Sequence, residues 1–232
     1  MAVYAIADLH LPARQKPMDI FGEHWKDHFQ RIREDWLERV APGDLVLLPG
    51  DLSWAMRFEE AQEDLRSIGE LPGAKLLLRG NHDYWWGSIG RVRRALPEGM
   101  FALQNDSMLL KGRLYAGTRG WVLPGPEAEA DNLRIYNRER LRLEMSLQHA
   151  RRTDAEAPIT VMMHYPPMTE EEPGFSDLLE AYGVVDCVYG HLHGPAIYGA
   201  VRGLRRGVRY HQVSCDGLGF KLYKLYDDVG EA

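Results

Sequence analysis

Short apolar runs along the chain repeatedly end in clusters of Asp, Asn and His. The runs V-Y-A-I-A, L-V-L-L-P, K-L-L-L-R, I-T-V-M-M and V-V-D-C-V-Y lead into polar clusters. In the same order these are Asp8-Leu9-His10, Gly50-Asp51, Gly80-Asn81-His82-Asp83, His164 and Gly190-His191-Leu192-His193. Continuous runs of aliphatic and β-branched residues predict strands buried on both faces, as in parallel sheets. In α/β proteins the loops beyond the carboxyl ends of such strands converge on one crevice. Polar clusters that all fall at that end predict a single site.

Between the runs the period changes. Phe21, Trp25, Phe29, Ile32, Trp36, Leu37 and Val40 recur at three and four residues and predict an amphipathic helix from Phe21 to Val40. His24 and His28 would share one face of it, as a rim element or as part of the polar side. The loop before it runs through Pro17, and Pro42-Gly43-Asp44 ends it. A second helix is expected from Phe58 to Ile68, closed by Leu71-Pro72-Gly73. From Met100 to Trp121, F-A-L-Q, S-M-L-L and R-L-Y-A-G-T predict antiparallel hairpins of a second sheet. A long, highly charged surface helix is expected from Asp131 to Arg152, suggested by Leu133, Tyr136, Arg140, Leu141 and Met145. The Gly-punctuated tail from Ala196 to Tyr226 could complete the second sheet. The β-α-β-α-β start and absence of repeats predict one α/β domain over residues 1–232.

Composition narrows the setting. The chain has 232 residues, 27% charged and 45% hydrophobic, which suits a globular protein with a sizeable core. No run reaches the roughly 18 apolar residues of a membrane span, and the start has no basic n-region, so a secretory signal is not expected. Cys187 and Cys215 are too few for a disulfide framework and read as buried thiols. A cytoplasmic location is the expectation. The net charge of −6 argues against duplex DNA as main substrate, because DNA grip needs a basic face. It leaves a small phosphate substrate open, since bound metal supplies local positive charge.

The clusters suit two divalent ions. Such a centre wants a carboxylate between the ions, with imidazole, carboxylate and amide donors completing each set. Asp8 and His10 can turn into the crevice together, His191 and His193 repeat that spacing, and Asp51 would supply the bridging carboxylate. The order D-x-H, G-D, G-N-H-D, H, G-H-x-H resembles that of the calcineurin-like metallophosphoesterase superfamily, over residues 8–193. The resemblance implies a four-layer α-β-β-α sandwich with two mixed β-sheets. It implies Asp8, His10, Asp51 and His193 on one metal, and Asp51, Asn81, His164 and His191 on the other. His82 would contact the phosphate and protonate the leaving oxygen, with Asp83 holding its imidazole. In-line attack by a metal-bridging hydroxide is the mechanism implied, with Mn²⁺ favoured and Fe or Zn²⁺ also suited to these donors.

Substrate choice is less defined. Phosphoprotein phosphatases of the superfamily carry G-D-x-V-D-R-G at the second motif, whereas this chain reads Gly50-Asp51-Leu52-Ser53-Trp54-Ala55-Met56 without that Arg. Arg57 and Arg119 are the candidates to replace it. Trp54, Tyr84, Trp85 and Trp86 adjoin the motifs and could stack on a nucleobase, or pack the core. The expectation is a phosphoesterase for small phosphodiesters, cyclic or linear nucleotides being candidates. The alternatives are a phosphomonoesterase or phosphoprotein phosphatase, and a non-catalytic metal-binding scaffold. The sequence leaves the oligomeric state open.

Overall fold

Alternation within the apolar runs sets the layers. The computed structural model describes residues 1–12 and 16–227; the part of the predicted polar loop at 13–15 lies outside them. Strand β1 (Ala2–Ala5) is followed by 3₁₀ turns at Met18–Phe21 and Glu23–Trp25 and by helix α1 (His28–Arg39). Then come β2 (Leu45–Pro49), α2 (Phe58–Gly69), β3 (Ala74–Leu78), α3 (Ile89–Ala95) and β4 (Met100–Leu103). The second half runs β5 (Ser107–Leu110), β6 (Arg113–Thr118), α4 (Ala130–Thr153), β7 (Ile159–Met163), α5 (Ser176–Ala181) and β8 (Val184–Tyr189). It closes with β9 (Gly203–Arg205), β10 (Val208–Gln212) and β11 (Tyr223–Asp227).

Two mixed sheets result, ordered β11-β1-β2-β3-β4 and β5-β6-β7-β8-β10-β9. The inner strands are parallel, while β11, β5 and β9 pair antiparallel at the edges. Val3 and Ala5 of β1, and Ala7 just beyond it, meet Tyr115, Met162, Val188 and Val213 in a buried layer between the sheets. Tyr4 and Ile6, one residue out of phase, join Ile32 and Trp36 of α1 and Leu65 and Ile68 of α2. A third cluster packs Leu143, Leu147 and Ala150 of α4 onto Ile159, Val161 and Met163 of β7. Both faces of each inner strand are therefore buried, which is why these runs are apolar throughout. The layers are helix, sheet, sheet, helix. Among the described residues no helix is long and apolar enough to cross a membrane.

Several elements depart from expectation. The helix predicted from Phe21 starts only at His28, because Gly22 (φ 135°) and Asp27 (φ 52°) take backbone conformations that no α-helix continues. His24 and His28 are consequently not on one helix face. The run F-A-L-Q is not a hairpin strand: β4 adds parallel to β3 in the first sheet. Only β5 and β6 form the expected antiparallel pair. The long surface helix is present as α4, with Leu133, Leu141 and Met145 exposed and Glu139, Leu143, Ser146, Leu147 and Ala150 packed. In the tail, β9 and β10 join the second sheet, but β11 returns to pair with β1 in the first.

Candidate metal centre

The backbone beyond β1, in the first sheet, is hydrogen-bonded to that beyond β10, in the second. Ala7 N donates to the Val213 carbonyl (2.8 Å), and Cys215 N donates to the Ala7 carbonyl (3.1 Å). The loops after β1, β2, β3, β7 and β8 converge there. Asp8 N donates to the Gly50 carbonyl at 3.0 Å and His10 N to the Asp51 carbonyl at 3.0 Å. Close approach explains the motif glycines. A Cβ on Gly80 would overlap Asp51 Oδ1, and one on Gly190 would fall 2.6 Å from Asp8 Oδ2. Asp8, His10, Asp51 and His191 all hold left-handed φ values between 44° and 71°. Such conformations cost a non-glycine residue about 1–3 kcal/mol each and persist only where surroundings hold them. The strain coincides with the candidate ligands.

Each carboxylate is split between a structural and an open oxygen. Asp8 Oδ2 accepts the His191 N–H (2.9 Å), while Asp8 Oδ1 is buried without a hydrogen bond and lies 3.9 Å from His193 Nε2. Asp51 Oδ1 accepts the His82 N–H (2.7 Å), and Oδ2 faces His164 Nε2 at 3.4 Å and His10 Nε2 at 3.9 Å. His164 Nδ1 lies 3.1 Å from the Pro49 carbonyl, an acceptor only, so that nitrogen carries a proton. Its Nε2 then faces Asn81 Oδ1 at 2.6 Å and His191 Nδ1 at 3.3 Å. Two sets of donor atoms come within 4.8 Å of one another, Asp8–His10–His193 and Asp8–Asp51–His164. Asp8 is the member common to both, whereas the sequence pointed to Asp51. Asp51 Oδ2, however, lies between His10 and His164 and so also reaches both sets.

Burial and mutual charge set the titration of this cluster. Burial pushes His10 and His191 down to about 3, with neighbouring imidazoles adding to the effect. Burial also acts on His164, but the Asp51 and Asp8 carboxylates overcome it and hold the ring up to about 9. Asp8 is raised by burial; Asp51, despite burial, is lowered by His164. Carboxylates and imidazoles in opposition, with an orphaned buried oxygen on Asp8 and an orphaned Nδ1 on His10, fit a cationic guest. Oxygen and nitrogen donors without a thiolate suit Mn²⁺, Fe or Zn²⁺.

Asp83 does not hold the His82 ring. Its carboxylate accepts N–H bonds from Gly80 (2.8 Å), Asp51 (2.9 Å) and Leu52 (2.9 Å), and from Trp85 Nε1 (3.0 Å). It thereby clamps the loop after β2 to the loop after β3. Burial and the Asp51 charge raise it to about 6. His82 is half-buried, its Nδ1 without a partner, and its ring borders a cavity of about 450 Å³ together with His10 and His193. That cavity has an apolar wall of Met18, Phe21, Trp25 and Trp54. Trp54 stacks on His10 with centroids 4.8 Å apart, and Lys16 Nζ lies 3.6 Å over the Trp54 ring.

The other candidates disperse. Trp85 and Trp86 are buried in the core against Phe58 and Gln104, which removes Trp85 from the substrate-binding set. Tyr84 is half-exposed, 6.0 Å from the His82 ring. Arg57 is exposed at the start of α2 and lines neither this cavity nor its neighbour. Arg119 lines a different cavity. His24 lies on the cavity rim, while His28 is buried with Nε2 2.8 Å from the Leu9 carbonyl. One residue was missed altogether. Asp216 Oδ1 lies 3.0 Å from His193 Nδ1, which orients that imidazole and raises its pKa against the effect of burial. The sequence carries little signal for it, since the strand before it, β10, reads V-R-Y-H-Q and is not an apolar run like those before the other motifs.

Residues 1–195 match the family model for calcineurin-like phosphoesterases. The chain belongs to that family. No curated protein matches it. Among solved structures it resembles a protein of unknown function from Aquifex aeolicus, at 15% identity and a TM-score of 0.53. The match covers 96% of this chain and 95% of that one and speaks for the shared fold alone. Membership makes the chain a candidate metal-dependent hydrolase of phosphoesters, and the Asp and His clusters are where a calcineurin-like phosphoesterase would hold metal.

Proposed function

We propose that the chain, as one domain, is a dinuclear-metal phosphoesterase for small phosphodiesters, nucleotides being the favoured class, acting in the cytoplasm. Two free, buried cysteines, Cys187 and Cys215, fit a reducing compartment. Asp8, His10, Asp51 and His193 would hold one ion, and Asp51, Asn81, His164 and His191 the other, with Mn²⁺ the first choice. When bound, the pair supplies Lewis acidity for the phosphoryl oxygens and lowers the pKa of water.

The chain's own groups do the rest. His82 borders the cavity with its Nδ1 buried and would protonate the leaving oxygen there. Burial lowers its pKa; an anionic phosphate beside it acts in the opposite sense and favours the protonated ring. Asp83 is a positioning residue, fixing Asp51 and the 80–82 loop through main-chain N–H groups. Asp216 sets the His193 ring so that Nε2 turns to Asp8.

The observation that carries the nucleotide preference is the pair Phe21 and Trp54. Their rings are nearly parallel (18°), 6.4 Å apart, on the apolar wall beside His82. Flat apolar walls next to a phosphate site favour a base over a compact phosphate or a protein loop. Comparing an aryl phosphodiester with its monoester, and 2′,3′- and 3′,5′-cyclic nucleotides with both, tests this. Higher kcat/KM for the cyclic nucleotides is expected. A clear preference for the monoester would make the enzyme a phosphomonoesterase instead. Bound metal without turnover on any of them would favour the scaffold.

A further inference from the structure

Cations collect in a second cavity, of about 240 Å³, at the carboxyl ends of β3, β4 and β6. Arg79, Arg119, Arg138 and Arg142 line it, with Glu139 the one acidic residue among the lining. Three positive charges are left in excess there, in a chain whose net charge is −6. Glu139 is fully committed. Buried to 1% exposure, it accepts from Thr118 Oγ1 (2.7 Å), Arg142 Nη1 (2.7 Å) and Arg138 Nη2 (3.4 Å).

Arg79 and Arg119 are different. Among the described residues neither has a carboxylate within ion-pairing distance, and Arg79 Nε is buried without any hydrogen-bond acceptor. The Arg119 guanidinium lies 4.8 Å over the Trp121 ring. Half-buried guanidinium groups without a paired carboxylate leave donors free for an anion, and their planar fork matches phosphate oxygens in bidentate fashion.

The pocket also adjoins the metal cluster. Arg79 is two peptide units from Asn81, so their Cα atoms are at most about 7.6 Å apart. The Arg119 carbonyl accepts the N–H groups of His164 (3.1 Å) and Tyr165 (2.9 Å). Tyr165 packs on the His191 ring with centroids 4.1 Å apart.

We propose that this pocket is a second phosphate subsite, in which Arg79 and Arg119 hold a phosphate group of a substrate whose scissile phosphate lies at the metal cluster. The substrate is then a small molecule carrying two separate phosphate groups. That it is a substrate rests on the proposed phosphoesterase activity; the anion site itself does not.

The test uses the full chain. After chelator treatment, calorimetric titration with inorganic phosphate should show one binding site per chain. Arg79→Gln and Arg119→Gln should each weaken it at least tenfold, while Arg91→Gln, on the surface beside Glu59, should not. No binding, or binding indifferent to the two pocket substitutions, overturns the anion site whatever the catalytic activity. With Mn²⁺ restored, adenosine 3′,5′-bisphosphate should inhibit aryl phosphodiester hydrolysis at least tenfold more tightly than adenosine 5′-monophosphate. Arg79→Gln should abolish that advantage. Phosphate binding without the bisphosphate advantage would make the pocket a site for free anions and overturn its role in substrate recognition. Absence of turnover with phosphate binding intact would count against the phosphoesterase activity alone.

Discussion

Two cavities adjoin the candidate metal centre, and their walls could hardly differ more. One is faced by Met18, Phe21, Trp25 and Trp54, the other by four arginines around a buried glutamate. Both are built at the carboxyl ends of strands, by the same fold, from the same kind of loop. The difference lies in what covers each strand end: a loop that returns aromatic rings over β1 and β2, or polar turns after β3, β4 and β6 together with Arg138, Glu139 and Arg142 of α4. One wall suits a flat apolar face and the other a negative charge, and under the proposed function the two would share one substrate. On the proposed function the shared frame would supply the metal donors and the walls the discrimination.

Removing the frame should therefore cost far more than changing either wall. Asp51→Asn is expected to lower kcat/KM by on the order of a thousandfold or more and to reduce bound metal, read by elemental analysis. Near-normal turnover would remove Asp51 from its bridging place and leave Asp8, the residue common to both donor sets, to fill it. His82→Ala should lose about 10²–10⁴-fold in turnover yet keep its full metal content, as a proton donor would. If metal is lost with it, His82 is a ligand. Asp216→Asn, acting through His193, should weaken metal affinity about 10- to 100-fold while saturating metal rescues turnover.

The aromatic wall gives smaller effects. Trp54→Ala should raise KM for nucleotides by roughly tenfold, within the 1–3 kcal/mol of a stacked base, and raise KM for aryl esters less. Trp85→Phe should leave that KM ratio unchanged and lower stability by about 1–2 kcal/mol, through loss of the bond to Asp83. A KM effect from Trp85 equal to that from Trp54 would erase the distinction between wall and core.

Much of the site is legible in the sequence because strands buried on both faces leave unbroken apolar runs, and the polar residues that end them are visible by contrast. Asp8, Asp51, Asn81, His164 and His191 stand out for that reason. Strand pairing is less legible. Four residues such as M-F-A-L say nothing of a parallel or antiparallel neighbour, so β4 was expected in the wrong sheet. The helix boundary before His28 depended on the backbone at Gly22 and Asp27, which a periodicity of apolar residues overrides on paper. Asp216 follows the mixed strand V-R-Y-H-Q instead of an apolar run, and its partner His193 lies 23 residues away, so only the sheet junction unites them. Roles that depend on direction are hidden altogether. Nothing in Asn81-His82-Asp83 reveals that the Asp83 carboxylate turns to main-chain N–H groups instead of the neighbouring ring.

The most direct test of the two-metal phosphoesterase account is a titration of chelator-treated protein with Mn²⁺, measuring bound metal and aryl phosphodiester turnover together. Turnover should be absent without metal and should rise to saturation as a second ion per chain binds. Turnover that survives metal removal, or that saturates with a single ion, would contradict the account.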